Sequence, residues 1–345
     1  MNRLQYSIAQ GARVAWYWGQ YWTASRLAPR LLGHEDPPVP RPKGRLPGRD
    51  DLLGAMRALF QADWKNIEAG VYTLPPGQMA DGWRAVDGAR RFFADLPEAL
   101  RRRREHGHSE VLAELDGEVE KLPRYFLQNF HYQSGGYVTD ESARLYDHQV
   151  EVLFTGTAGP MRRQALVPVR EYVRERGRRR LDFLDVAAGT GGFLETVKAS
   201  FPAFRLTGLD LSEAYLAEAR RRLGRRAKLV PAPAEAMPLE DASQDVITSV
   251  FLFHELPPKV RKAAAGEIAR ILRPGGRFVL VDTIQTGDMP AFDGLLETFP
   301  RRFHEPYYAS YVAEDLPALF GAAGLTHAHD SLAFLSKVSV FEKPA

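Results

Sequence analysis

A glycine-rich turn after an apolar run is the first feature of this chain that could do chemistry. In LDFLDVAAGTGGF, Asp185 ends the apolar run, and Gly189, Gly191 and Gly192 follow in the turn. Glycines let the backbone approach a ligand closely, and the next helix offers unpaired N–H groups to an anion. Dinucleotide-binding loops use a similar turn but want a third Gly or Ala, and this chain has Leu194 there. The turn therefore argues against a nicotinamide cofactor.

A second carboxylate follows in the segment GLDLS, where Asp210 ends the next apolar run. A carboxylate at the end of a second strand can accept hydrogen bonds from both hydroxyls of a ribose. Ser212 is the predicted N-cap of the following helix, which leaves Asp210 for a ligand. The two segments together predict a ligand that contains a ribose.

Candidate proton-transfer groups come later in the chain. FLFHELPP places Phe251 and His254 after the fourth apolar run, where open α/β sheets bind ligands. A histidine there can take a proton from an acceptor hydroxyl, because its ordinary pKa is near neutral; the alternative is that His254 lines the cofactor pocket or caps a helix. Further candidates, which could instead form a packed aromatic lid, are Asp282, His304, Glu305, Tyr307 and Tyr308.

The elements that must position these residues follow from the spacing of apolar residues. Five runs of strand length alternate with helical stretches: LDFLDVA, FRLTGLDL, AKLVPA, DVITSVFLF and GRFVLVDT. This alternation predicts an α/β fold whose mostly parallel sheet is covered on both faces. SLAFLSKVSVFEK alternates as one closing antiparallel strand would.

The domain organisation follows from breaks in this pattern. Prolines between positions 37 and 47 cannot sustain a helix. We expect, in order, an aromatic-rich helix (1–33), a Pro-rich linker (34–50), a helical cap domain (51–140) and a catalytic domain (141–345) with an aromatic insertion or lid (286–312).

Four ordered segments resemble class I S-adenosylmethionine (SAM)-dependent methyltransferases, notably the ubiquinone/menaquinone-biosynthesis-like (type 11) group. They are LDVAAGTGGF, LTGLDLS, APAEAMPLEDASQDVITSVFLFHEL and EIARILRPGGRFVLVD, and the resemblance covers about residues 177 to 285. It implies a Rossmann-like seven-stranded sheet preceded by a helical domain or cap, SAM as the cofactor, and methyltransferase activity.

The resemblance also implies roles for individual residues. The glycine turn would hold the methionine part of SAM, Asp210 would bind the ribose and Leu211 would stack on adenine. Two positions depart from the pattern, because Ala187 replaces the first glycine and Pro233 replaces an Asp that binds adenine. The cofactor-binding candidates are Asp185, Ala187, Gly189, Gly191, Asp210, Leu211, Ala234, Glu235 and Phe251.

The segment before the first strand often closes over the cofactor in this family. The resemblance therefore makes its aromatic residues candidates for a lid or acceptor pocket. With two residues of the later insertion, these are Tyr125, His131, Tyr132, Tyr137, Tyr146, His148, His304 and Tyr308. His131, Asp147 and His148 match no tight ligand spacing, so no metal site is predicted.

Bulk composition limits the partners. The chain has 345 residues, a formal charge of +3 and no cysteine, which excludes disulfides and thiolate chemistry. No apolar run reaches the roughly 20 residues that span a bilayer, and nothing resembles a signal peptide, so we expect a cytoplasmic location. The arginine clusters lie near predicted helix ends and form no continuous basic stripe, so no nucleic-acid partner is expected.

The amino-terminal helix has two interpretations. Val14, Trp18, Tyr21 and Trp22 share a side at helical spacing, which is typical of a core or domain-packing surface. The alternative is a peripheral membrane contact, since Trp and Tyr suit an interface and arginines flank them. The oligomeric state stays open.

The expected function is methyl transfer from SAM to O, N or C of a small acceptor. Aromatic segments on both sides of the cofactor motifs favour a lipophilic or aromatic acceptor. The alternatives are an RNA or protein methyltransferase and a non-catalytic SAM-binding interaction protein.

Overall fold

The chain is described from a computed structural model, which covers residues 2–32, 40–75, 82–111, 122–177 and 180–345. It forms two compact units. The first comprises residues 1–43, 76–159 and 297–305, and the second comprises residues 44–75, 160–296 and 306–345.

The second unit is built on one sheet. Its strands are β1 (Asp182–Val186), β2 (Arg205–Asp210), β3 (Ala227–Pro231), β4 (Gln244–Val250), β5 (Leu272–Thr283), β6 (Thr326–Ala333) and β7 (Ser336–Glu342). The strand order is β3-β2-β1-β4-β5-β7-β6. Strands β1 to β5 are parallel, and β7 is antiparallel to both β5 and β6. The predicted Rossmann-like, mostly parallel seven-stranded sheet is confirmed.

Helices alternate with the parallel strands and also precede them. In chain order they are α1 (Arg3–Leu32), α2 (Arg49–Glu68), α3 (Gly82–Glu105), α4 (Asp140–Leu153), α5 (Ala158–Arg163), α6 (Leu166–Arg176), α7 (Gly192–Ser200), α8 (Glu213–Leu223), α9 (Pro258–Ile271), α10 (Asp293–Arg302), α11 (Tyr308–Tyr311) and α12 (Leu316–Gly321). Of these, α1, α3 and α4 belong to the first unit.

The core of the second unit lies around the two central strands. Phe183, Leu184 and Val186 of β1 and Val246 and Ile247 of β4 are fully buried. In β4 every residue from Gln244 to Ser249 is buried, although side chains alternate between the two faces of a strand. Both faces of the sheet are therefore covered, as the continuous apolar runs predicted.

The end of the chain differs from its prediction. The stretch 331–343 is not one closing strand, because β6 and β7 form an antiparallel hairpin that turns at Phe334. Phe334 adopts a positive φ of 58°, which reverses the chain direction between the two strands. Most of β6 is exposed and polar, so its sequence carries little of the alternation that marks a half-buried strand.

The compact units do not follow the expected segments. Residues 44–75 cluster with the sheet, residues 141–159 cluster with the first unit, and Arg49 and Asp50 of the expected linker begin α2. Position 33 of the expected helix and positions 34–39 of the expected linker lie outside the described residues. Compact units defined by contacts need not coincide with functional domains, so the division of the chain into four segments stays a prediction.

Helix α1 contradicts its favoured interpretation. Trp18, Tyr21 and Trp22 were expected to pack inside, but they are 56%, 44% and 46% exposed. The residues that α1 does bury lie on another side of the helix and include Tyr6 and Tyr17. No described helix combines the length and apolar character needed to cross a membrane.

A buried ion pair explains why residues 44–75 belong with the sheet. Arg163 of α5 donates from Nε and Nη2 to the two carboxylate oxygens of Asp63 in α2, at 2.8 and 2.6 Å. The Tyr72 hydroxyl also donates to Asp63 at 2.7 Å. Both charged side chains are almost fully buried, so each depends on the other for its stability.

We predict that Arg163→Met lowers the free energy of unfolding by about 3 to 5 kcal/mol, because it leaves the Asp63 carboxylate buried without its cation. Urea denaturation followed by circular dichroism measures this change. The control is Arg221→Met, which removes the half-exposed surface pair with Glu218 and is expected to change stability by less than about 1 kcal/mol. Equal effects from the two substitutions would contradict the prediction.

Candidate functional site

The candidate site lies at the carboxyl ends of β1 and β4. The chain continues from β1 to β2 on one side and places β4 on the other, which makes this a topological switch point. Two non-glycine residues there have positive φ: Ala187 directly after β1, at 61°, and Phe251 directly after β4, at 58°. Such conformations are unfavourable and concentrate at functional sites.

The turn after β1 is shaped by close packing as well as by its glycines. Gly189 and Gly191 have φ of 54° and 76°, a region that glycine adopts readily. A Cβ at position 191 would lie 3.0 to 3.2 Å from atoms of Leu223 and Ala219 in α8. Gly191 is therefore needed for α7 to begin this close to α8, and the turn stays tight against β2.

Asp210 is fixed by backbone groups on both sides of it. Its Oδ2 accepts the Gly189 N–H and its Oδ1 accepts the Ser212 N–H, each at 2.8 Å between N and O. Ser212 is the N-cap of α8, as predicted, since its hydroxyl accepts the Tyr215 N–H. Burial raises the pKa of Asp210 to about 6, against the effect of these N–H groups. Each oxygen retains a lone pair that could accept a hydrogen bond from a ligand hydroxyl.

Asp185 is buried beside the same turn. Its Oδ1 accepts the hydroxyl of Thr248 at 2.7 Å, from the position directly opposite on β4. Burial, with a smaller contribution from the Asp210 carboxylate, raises the pKa of Asp185 to about 7, against the effects of the Thr248 hydroxyl and Arg162. Two neighbouring carboxylates with raised pKa values favour a ligand that brings positive charge into the crevice.

Arg162 is a site residue that sequence reasoning missed. It lies in α5, and its guanidinium carbon is 5.7 Å from the centre of the Phe251 ring. It is the cation that lowers the pKa of Asp185. A guanidinium here could bind the carboxylate of an amino-acid ligand. The only signal in the sequence was a pair of arginines before the first strand, which resembles any helix C-terminus.

The remaining cofactor candidates lie at the ends of β2 and β3. Leu211 and Glu235 are half-buried and Ala234 is buried. The Ala232 N–H donates to the Asp210 backbone carbonyl at 3.0 Å and ties these two strand ends together. Their contacts with adenine remain a proposal.

A histidine–aspartate pair follows β4. His254 Nδ1 lies 2.6 Å from Oδ1 of Asp282, the buried penultimate residue of β5. The second oxygen of Asp282 accepts the Phe253 N–H at 2.8 Å. A carboxylate acceptor favours the tautomer with hydrogen on Nδ1, so Nε2 carries the lone pair. The Glu255 carboxylate lies 3.8 Å from Nε2, where it can stabilise an imidazolium.

Two tyrosines of α11 pack on the His254 ring. The ring centres of Tyr308 and Tyr311 lie 5.9 and 6.3 Å from it, both edge-on. The Tyr308 hydroxyl forms a 2.8 Å hydrogen bond with the hydroxyl of Thr283. Tyr307 is the half-buried N-cap residue of α11. The structure thus brings together His254, Asp282 and Tyr308 of the predicted residues.

The other lid candidates lie in the first unit. The rings of Tyr132 and His304 are 5.9 Å apart, and His304 stacks on His108 with ring centres 4.3 Å apart. Burial, followed by the effect of His108, lowers the pKa of His304 to about 4. His131 Nε2 lies 3.0 Å from the buried carboxylate of Glu305.

Three further candidates are dispersed within the first unit. Tyr125 and Tyr146 are half-buried, and Tyr146 packs edge-on against Tyr137. His148 is buried and its Nε2 lies 2.7 Å from the side-chain oxygen of Gln20. Burial lowers the pKa of His148 to about 4. A Cβ at Gly88 would overlap the His148 ring, so this histidine is a packed core residue and does not support a pocket role.

Comparison with known proteins agrees with this geometry. Residues 183–276 match the family model described as "methyltransferase domain". The chain is 36% identical over 137 residues to the ubiquinone/menaquinone biosynthesis C-methyltransferase UbiE of Methylobacterium nodulans, covering 38% of this chain and 53% of that protein. It is 32% identical over 145 residues to the demethylmenaquinone methyltransferase of Thermus thermophilus, covering 41% and 62%. The chain thus spans little more than half the length of these curated relatives.

Residues 183–276 therefore form a methyltransferase domain that is similar to those of the ubiquinone/menaquinone-biosynthesis relatives, and SAM is its cofactor. The residues of the crevice fit this cofactor. Asp185 and Asp210 place negative charge in the crevice, which suits a cationic cofactor, and the glycine turn would admit a ligand close to the backbone.

We predict that Asp210→Asn weakens SAM binding by about tenfold to a hundredfold, because an amide offers one acceptor oxygen where the carboxylate offers two. Titration calorimetry with SAM measures the dissociation constant. Asp241→Asn is the matched control, since Asp241 is an exposed carboxylate that pairs with Arg270. An unchanged dissociation constant in the Asp210 variant would argue against a ribose contact.

The raised pKa of Asp185 predicts a pH-dependent stability of the chain without added SAM. A carboxyl whose folded pKa is about 7 stabilises the fold at pH values below its unfolded pKa and loses this contribution as pH rises through 7. Asp185→Asn keeps an acceptor for Thr248 and cannot ionise. From pH 4 to pH 8 the variant should gain roughly 2 to 4 kcal/mol relative to the parent in urea denaturation. If the unfolding free energies of the variant and the parent changed equally with pH, the pKa of Asp185 would not be raised in the folded state.

Proposed function

We propose that this chain transfers the methyl group of SAM to O, N or C of a small lipophilic or aromatic acceptor. The observation that carries the proposal is the imidazole of His254, held by Asp282 directly after β4 at the carboxyl end of the sheet. In this proposal Asp185 and Asp210 bind the cofactor, and His254 accepts a proton from the acceptor.

The proposed reaction needs one proton transfer. Bound SAM supplies an electrophilic methyl group on its sulfonium sulfur. The acceptor atom bonds to that carbon as the carbon–sulfur bond breaks, and His254 Nε2 takes the proton that the acceptor loses. Asp282 is a positioning residue, because it fixes the tautomer and stabilises the imidazolium. Tyr307 remains a candidate for a further polar contact with the acceptor.

Aromatic surroundings support an apolar acceptor. Phe251, Tyr308 and Tyr311 lie at or near the ends of β4 and β5, and the last two pack on His254. Apolar walls with few polar groups are typical of sites for small lipophilic molecules. The names of the relatives refer to ubiquinone, menaquinone and demethylmenaquinone, whose rings belong to the same chemical class.

A small molecule is favoured over a nucleic acid because much of the basic charge is neutralised. Arg101 pairs with Glu98, Glu105 and Glu110, and Arg221 pairs with Glu218. Such intrahelical and local pairs are typical of solvated helix faces, whereas phosphate binding needs unpaired cations along one groove.

Incubation of the chain with methyl-labelled SAM and a metabolite extract tests the proposal. We expect the label in a small, solvent-extractable product. Label in RNA or protein would support the rival methyltransferases. Tight binding of SAM with no transfer to any fraction would support a non-catalytic SAM-binding protein and contradict the proposal.

We predict that His254→Asn lowers kcat by about a hundredfold or more while the dissociation constant for SAM stays within about twofold. Asn can still donate to Asp282, so the loss reports proton transfer. The variant should also lose the acidic limb of the kcat–pH profile. The matched control is His327→Asn, which changes a half-exposed His–Asp pair formed with Asp330 on β6. Retention of full activity by the His254 variant would exclude it as the base.

A further inference from the structure

Helix α1 carries an exposed apolar stripe. Leu4, Ile8, Trp18 and Trp22 are 68%, 64%, 56% and 46% exposed, and Tyr21 flanks them at 44%. Steps of three and four residues, with the small Gly11 and Ala15 in between, place these side chains on one face of the helix. Single exposed apolar residues are ordinary, but a continuous row of this length on a water-facing helix is not.

The opposite side of α1 is more polar than the exposed stripe. Gln10 and Gln20 are only 4% and 6% exposed, and Gln20 pairs with the buried His148. Tyr6 and Tyr17 are buried with them. A helix that only had to fold against its own unit would bury the tryptophans and expose the glutamines. The exposed face therefore has a role other than packing within this unit.

The charge on α1 has a single sign. Arg3–Leu32 contains four arginines and no acidic residue. Arg13 pairs with Glu151 of α4, whereas Arg3, Arg26 and Arg30 are exposed, and no described carboxylate forms an ion pair with them. The Arg26 guanidinium lies 4.6 Å above the Trp22 ring, so charge and aromatic surface share the same face.

We propose that this face of α1 lies on the surface of an anionic lipid bilayer. Tryptophan and tyrosine prefer the headgroup boundary, and nearby arginines are attracted to anionic lipids. A second copy of the chain is disfavoured as the occupant, because two such faces would also bring arginines of like charge together, and α1 has no acidic residue to pair with them. The helix binds parallel to the surface, with its apolar side chains inserted and its packed face turned to the protein.

This proposal stands apart from the proposed methyl transfer. It depends on exposure, residue type and charge in the first unit, and not on any residue of the crevice. Contact with a bilayer would nevertheless place the chain where lipophilic molecules are dissolved.

Vesicle flotation of the full chain tests the proposal. The probes are vesicles of phosphatidylcholine alone and of phosphatidylcholine with about a third phosphatidylglycerol. We expect the chain to float with the anionic vesicles at least about tenfold more strongly than with the neutral ones, and less at about 0.5 M salt. Tryptophan fluorescence should shift to shorter wavelength as the vesicles are added.

Matched variants locate the contact. Trp18→Ala with Trp22→Ala should reduce binding at least about tenfold, whereas Trp83→Ala, which removes an 80% exposed tryptophan of α3, should leave it unchanged. Arg26→Glu with Arg30→Glu should abolish the preference for anionic lipid, and Arg57→Glu in α2 should not. All of these residues are exposed, so unchanged thermal unfolding verifies that the variants fold.

Three outcomes would overturn the proposal. The first is equal distribution of the chain with and without vesicles. The second is an equal loss of binding on substitution of Trp83. The third is sedimentation as a dimer that the Trp18 and Trp22 substitutions dissociate without any vesicle binding, which would assign the face to a second copy.

Discussion

The site depends on holding two carboxylates close together at the ends of neighbouring strands. Burial raises the pKa values of both Asp185 and Asp210, and the charge of Asp210 adds to the rise at Asp185. The Gly189 and Ser212 N–H groups and the Thr248 hydroxyl offset part of this rise. The remaining excess of negative charge is relieved when a cationic ligand enters. SAM carries a sulfonium and an ammonium group, so its binding would offset this unfavourable arrangement of charge.

This arrangement requires a parallel sheet. The register that sets Asp185 opposite Gly208 on β2 and opposite Thr248 on β4 brings three strand ends to one edge. Short connections to the following helices then place the glycine turn and the Ser212 cap beside the carboxylates. Because β4 and β5 are also parallel neighbours, Asp282 at the end of β5 lies within hydrogen-bonding distance of the residues that follow β4. Each strand contributes one or two groups, and the strand order decides which groups meet.

The sequence was informative where function rests on residues close together in the chain. Asp185, Gly189 and Gly191 lie within one turn, and Asp210 follows at the distance that one helix and one strand impose, so the fold could be predicted, while the cofactor contacts of these residues stay a prediction. His254 and Asp282 were each predicted at a strand end, but their 2.6 Å contact depends on β4 and β5 being neighbours. Arg162 could not be identified from the sequence, because an arginine at a helix end usually faces solvent. The exposed face of α1 was misassigned because periodicity identifies a stripe without saying which side is buried.

Two residues at the site, Ala187 and Phe251, have backbone conformations that are unfavourable for folding. Ala187 and Phe251 hold left-handed conformations that cost each residue about 1 to 3 kcal/mol, and glycine would relieve most of that cost at either position. A glycine at position 251 would lose the aromatic ring that lies beneath the Arg162 guanidinium. The strained conformation of Phe251 therefore accompanies a cation–π contact at the crevice. At position 187, alanine has fewer accessible conformations than the glycine of the usual pattern. Ala187 therefore restricts the backbone of the turn even without a bound cofactor. Backbone strain and buried negative charge thus occur at the same strand ends, where the cofactor is expected to bind.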